Sequence, residues 1–195
     1  MPIAINGSGT VTGISVGGLP DGIVDTDMLA AKAATASKIG NGGIIQIVQT
    51  VKTDTFTANT GSSFVDITGM TVTITPQSSS NKILIIPSLN MAADQSHRHG
   101  FIIVRGSTNI HIADSASNRT RSTAFQGNPP TSVNSYHYCT PFLDSPNTTS
   151  ATTYKLQCRG EGSNTDIFVN RGESDTDAGD RFRGASSMTA IEVVA

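Results

Sequence analysis

Two regimes of hydrophobic patterning meet near Gly40–Gly43. Downstream of that point, apolar residues recur at every second position in short runs. Met70, Val72 and Ile74 alternate with Thr71, Thr73 and Thr75, which predicts a half-buried strand with a threonine outer face. From Ile44 the period changes to two: Ile45, Ile47 and Val51 alternate with Gln46, Val48 and Gln49 and predict an opening strand. Ile83–Ile86 is apolar on both faces and fits a central strand. Phe101–Val104, then Gly106–Asn109, then Ile110–Ala113 predicts a hairpin. Further strands are expected over Ser135–Thr140, Tyr154–Cys158, Asp166–Asn170 and Thr189–Val194, with loops at Pro76–Asn81, Gln126–Asn134 and Gly172–Gly184. Seven or more short strands with polar turns predict a mainly β domain, an antiparallel β-sandwich of jelly-roll type.

The upstream segment reads differently. Gly7, Gly9, Gly13, Gly17 and Gly18 space out extended pieces and turns, and Leu19-Pro20-Asp21-Gly22 carries turn chemistry. A short helix is predicted over about 26–39. Asp25 is the N-cap, Asp27 sits in the first turn, Lys38 in the last, and Gly40 is the stop. Its inner stripe, Leu29, Ala33, Ala36 and Gly40, is small. Burial of such a stripe does little against chain entropy. Two arrangements answer this: three such helices around an axis, or one helix lying on the β domain. The predicted organisation is an extended N-terminal arm with one short helix over 1–43, Asn41-Gly42-Gly43 as a hinge, and a β head over 44–195.

Composition narrows the partners. The 195 residues carry a net charge of −2 and only 14% charged residues, with no basic run. That excludes the electrostatic footprint of a nucleic-acid binder. The first residues show no cationic and apolar leader pattern, and the longest aliphatic run, Ile83–Ile86, is too short to span a bilayer. Cys139 and Cys158 are expected to be free thiols, with Cys158 on the apolar face of its strand.

Catalytic patterns are missing: no nucleophile elbow, phosphate-binding loop, dinucleotide fingerprint or His-Glu-x-x-His occurs. Asp175, Asp177 and Asp180 lack the calcium-loop pattern and read as a solvated acidic turn. Asp114 with Arg119 and Arg121 reads as loop surface charge. His97 and His99 would point the same way in an extended segment, but one pair gives two ligands, short of a closed metal site. On a threefold axis three pairs would offer six nitrogens; surface histidines are the simpler reading. His111 and His137 read as polar-face strand residues. Tyr136 and Tyr138 share a strand face, fit either for stacking a sugar or for core and subunit contacts. Glu161, Asp166 and Glu173 are glycosidase candidates by residue type alone. No catalytic, cofactor or metal residue is therefore assigned, and the chain is expected not to be an enzyme.

Ile5-Asn6-Gly7-Ser8-Gly9-Thr10-Val11-Thr12-Gly13-Ile14, followed by Leu19–Gly22 and Asp25-Thr26-Asp27-Met28-Leu29-Ala30, resembles the N-terminal segment of tail-fibre-like structural proteins of marine cyanophages. Ser186–Ala195 resembles the closing strand of their β heads. The resemblance implies a virion protein and a homotrimer. Its arm would dock into a tail or baseplate, and its head would contact a host-surface glycan or receptor through the loops Asp94–Gly100, Ser115–Asn134 and Gly172–Gly184. A capsid decoration or cement protein with the same arm-plus-head layout is the alternative. Neither reading involves a cofactor, nucleic acid or membrane insertion.

Overall fold

The computed structural model describes residues 4–5, 11–12, 40–94, 97–127, 135–162 and 164–195. The helix expected over 26–39 and the turn at Leu19–Gly22 lie outside these residues. The chain divides into two units, Met1–Ile39 and Gly40–Ala195. In the first, β1 (Ala4–Ile5) and β2 (Val11–Thr12) pair antiparallel, Ala4 opposite Thr12 and Ile5 opposite Val11.

The second unit is an all-β sandwich, with no helix among the described residues. One sheet runs β3 (Ile44–Lys52), β14 (Ser186–Val193), β6 (Lys82–Ala93), β13 (Asp166–Val169), β4 (Phe56–Asn59). The long strand β6 also pairs with β10 (Tyr136–Tyr138) and β11 (Phe142–Asp144). The other sheet runs β5 (Val65–Ile74), β12 (Thr152–Gly160), β7 (His99–Arg105), β8 (Thr108–Ile110), and β9 (Ala124–Gln126) also pairs with β7. Every pairing is antiparallel. Period-two alternation explains the core. Ile83, Ile85, Leu89 and Met91 of β6 meet Met70, Val72 and Ile74 of β5 and Tyr154, Leu156 and Cys158 of β12.

The expected hairpin forms from β7 and β8 around Gly106-Ser107, with Gly106 at φ 58°. It ends at Ile110 rather than Ala113. His111 is therefore not on a strand: it adopts φ 49° and stacks on Phe142 at 4.6 Å. Asn41-Gly42-Gly43 does not hang free as a hinge. Gly42 N–H donates to Val194 O at 2.8 Å and Val194 N–H to Gly43 O at 2.9 Å, so the turn is fastened to the final strand.

Strand β3 turns its polar side chains inward. Gln46, Val48, Thr50 and Lys52 turn inward, while Ile47, Gln49 and Val51 turn outward, with Ile47 60% exposed. The cause lies on the neighbouring strand. Glu192 is fully buried on the inner face of β14, directly opposite Gln46. Its carboxylate accepts from Gln46 Nε2 at 2.5 Å, Asn81 Nδ2 at 2.6 Å and Gln77 N–H at 2.7 Å. A buried carboxylate is costly unless its oxygens are satisfied. Sliding β3 by one residue would bury Ile47 but turn Gln46 away from Glu192. Thr50 Oγ1 adds a bond to Thr71 O of β5 at 2.6 Å, and Gln46 Nε2 one to Thr75 O at 2.8 Å. The polar inner face of β3 is thus tied to both neighbours.

A second polar tie crosses between the sheets. Asp144 of β11 is buried. Arg105 Nη1 of β7 lies 2.8 Å from both its oxygens, and Tyr154 Oη of β12 donates to it at 2.7 Å. Burial and this bond push the Tyr154 hydroxyl above its ordinary value. Removing Asp144 leaves the Arg105 guanidinium with Ser145 O alone and strands a fully buried hydroxyl. Asp144→Ala is expected to lower the unfolding free energy by about 3 kcal/mol, and Tyr154→Phe by about 1 kcal/mol. Urea unfolding checks this; equal small losses for both variants would contradict a tie centred on the carboxylate.

Candidate functional site

Two surfaces stand out, one on the outer face of each sheet. On the first sheet, Ile47 of β3 pairs with Ile191 of β14, Ile191 with Leu84 of β6, and Leu84 with Leu143 of β11. Directly opposed residues share a face, so these four aliphatics form one row across four strands. Ile47 and Leu143 are exposed, and Ile191 and Leu84 are half-buried. Ile86, Val193 and Ile44 flank the row, and the hydrogen-bonded pair Gln49 and Thr189 separates it from Val51. Among the described residues Lys82 is the charged residue beside it, and its Nζ donates to Ser145 Oγ at 2.7 Å. The central strand Ile83–Ile86 was legible in the sequence; that its second face is solvent-facing among the described residues was not.

On the second sheet a cleft of about 360 Å³ opens near the strand ends. Its floor is a cross-strand row: Arg159 of β12 opposite Gly100 of β7, and Gly100 opposite Phe125 of β9. Gly100 is required here, because a Cβ would meet Ala124 O at 2.6 Å and would rise between the arginine and the phenylalanine. Arg159 Nη1 donates to Thr120 Oγ1 at 2.8 Å, and its Cζ lies 6.0 Å from the Phe64 ring centroid. Arg98 reaches Glu161 at 2.7 Å. Arg119 lines the cleft from the loop between β8 and β9, with no side-chain partner among the described residues. That loop is closed at its neck, where Ala113 N–H donates to Ser122 O and Arg121 Nε to Ala113 O. Arg121 therefore braces the loop, whereas Arg119 faces the cleft. Three guanidiniums stand against the single carboxylate of Glu161, on a chain whose net charge is −2.

The structure separates the residues that sequence spacing put together. His99 is buried against Tyr136 and Tyr138, with ring centroids 5.9 and 6.1 Å away. His97 lies half-buried, its Nδ1 3.2 Å from Asp94 Oδ1. No group of three or more metal-ligating side chains occurs among the described residues. Tyr136 and Tyr138 face the core rather than an open sugar platform, and Tyr138 also contacts Phe101 edge-on. His137 is on the polar face, bonded to Ser88 at 2.9 Å. In the acidic loop Asp175 is held by both Nε and Nη2 of Arg183, and Asp180 by Arg181. Both thiols are free, Cys139 exposed and Cys158 buried, and burial pushes the Cys158 thiol up to about 12. Of the three loops expected to carry recognition, the cleft joins Asp94–Gly100 with Ser115–Asn134. Gly172–Gly184 ends elsewhere, with Gly184 bonded to Asn170 O on the first sheet's side. Phe64, Phe125 and Arg159 were not singled out by sequence. The available signal was Arg159 continuing the outward positions Lys155 and Gln157.

No family model matches the chain, and no curated protein matches it. Two solved structures of infectious bursal disease virus, from the Gx and Gt strains, are similar in part. They are 14% and 13% identical over 77% of this chain, each with a TM-score of 0.39. The chain spans 37% and 38% of the length of those chains.

His99 makes the cleft's foundation sensitive to acid. Burial pulls its pKa down from 6.5 to about 4. The unfolded chain therefore takes up a proton first as pH falls, and stability is lost between about 6.5 and 4. Between pH 7 and 5 the loss from this group is expected to be about 2 kcal/mol. Urea unfolding of wild type and His99→Phe checks it: the wild type should lose that much more than the variant. Parallel pH profiles would contradict a buried neutral imidazole.

Proposed function

We propose that this chain is a structural protein of a virion, a tail-fibre-like appendage that works by assembly and binding rather than catalysis. The observation that carries this reading is the apolar row Ile47–Ile191–Leu84–Leu143. Soluble monomers rarely leave a contiguous face of this kind in water, and such faces mark interfaces. Its occupant in this reading is a second copy of the same chain. The face carries almost no charge, so like copies meet without like-charge repulsion, and it lies beside β3, the end strand of its sheet. A homotrimer closes such contacts around an axis. The resemblance of residues 5–30 to cyanophage fibre segments supports an arm that docks to tail or baseplate, leaving the head to meet the host surface. A capsid decoration protein would use the same face to clamp shell subunits. Copy number per virion separates the two, since decoration covers the shell and fibres are few.

Light scattering of the full chain after size exclusion tests the assembly. About three times 20.3 kDa is expected. Ile47→Asp is expected to give single chains without unfolding, because Ile47 sits on the outer surface. A wild-type mass of one chain at micromolar concentration would overturn the reading.

A further inference from the structure

We propose that the arginine cleft is a binding site for an acidic saccharide, one bearing a carboxylate or sulfate group. The site rests on the reading of the head as a host-contacting module and gives that contact a place and a chemistry. Four features converge in it. Arg159 and Arg119 present guanidinium groups whose donors are only partly used: one Arg159 nitrogen is spent on Thr120, and Arg119 has no side-chain partner among the described residues. Guanidinium forks match planar and tetrahedral oxyanions better than any other side chain. Gly100 removes the side chain that would fill the floor between Arg159 and Phe125. Phe125, 71% exposed, presents an apolar ring to the cleft at the end of this floor row. A sugar ring offers an apolar face to such an aromatic and hydroxyls to Thr120 and Ser122, which also line the cleft.

The charge balance selects the ligand. Glu161 neutralises Arg98 at 2.7 Å, which leaves Arg119 and Arg159 without a carboxylate in a cleft of about 360 Å³. That volume suits one or two sugar rings rather than a flat polymer surface. A neutral sugar would leave two guanidiniums facing it uncompensated. The cleft lies on the outer face of the sheet opposite the apolar row, so a copy seated on that row leaves it open.

The test is isothermal titration of the full-length protein with three trisaccharides: a polygalacturonate fragment, a sulfated galactan fragment and a neutral galactan fragment. Saturable binding of at least one acidic sugar is expected in the millimolar range or tighter, weakening as salt rises, with the neutral sugar at least ten-fold weaker. The carboxylated and sulfated arms distinguish which oxyanion the fork prefers. Arg159→Gln and Arg119→Gln are each expected to weaken binding ten-fold or more, and Phe125→Ala several-fold. Arg181→Gln, outside the cleft, should change nothing. Equal affinity for the neutral sugar, unchanged binding in both cleft arginine variants, or no binding of either acidic sugar would overturn the proposal. Competition by inorganic sulfate at the same concentration as the sugar would overturn the saccharide assignment. Light scattering on the same samples reads assembly separately, so a trimer that binds no sugar sinks this site alone.

Discussion

Glu192 governs the architecture of the first sheet. A fully buried carboxylate without a cation must collect hydrogen bonds from neutral donors. Here they come from two places far from Glu192 in sequence: the side chain of Gln46 on β3, and the loop before β6, which gives the side chain of Asn81 and the backbone of Gln77. Together they fix β3 and the loop before β6 against β14. Only one register of β3 satisfies this, and it forces the strand's aliphatics outward. The cost is apolar area left uncovered among the described residues. The return is a sheet whose edge strand cannot slip without stranding the carboxylate.

The two outer faces differ in chemistry. The first sheet presents Ile47, Ile191, Leu84 and Leu143 as an aliphatic row. The second presents threonines along β5, then the arginine cleft at its end. The Asp144–Arg105–Tyr154 tie holds the sheets to each other from within, and His99 lies between the cleft and Tyr136 and Tyr138. The proposed assembly face and the proposed binding cleft therefore lie on opposite sides of the sandwich.

Much of this was legible in sequence. Met70, Val72 and Ile74 announce β5, Tyr154, Leu156 and Cys158 announce β12, and the Gly106 turn announces the hairpin, because in each the local period matches the burial. The all-β sandwich follows from them. The facing of strand β3 was not legible because its inner face is decided by Glu192, 146 residues away, and periodicity cannot see a nonlocal carboxylate. Tyr136 and Tyr138 looked equally fit for a surface or a core, and only their pairing opposite Met91 and Leu89 turns them inward. The cleft was half visible. Two of its loops stood out by composition, but Arg159, Gly100 and Phe125 become a site only when β7 sets them side by side.

The measurement closest to the central claim is a double-mutant cycle between Gln46→Ala and Glu192→Ala, read by urea unfolding of the full chain at one protein concentration. A hydrogen bond between an amide and a buried carboxylate predicts a coupling energy of about 1.5–3 kcal/mol. Coupling indistinguishable from zero would mean that Gln46 does not face Glu192. The register of β3, and with it the outward row of aliphatics, would then be wrong.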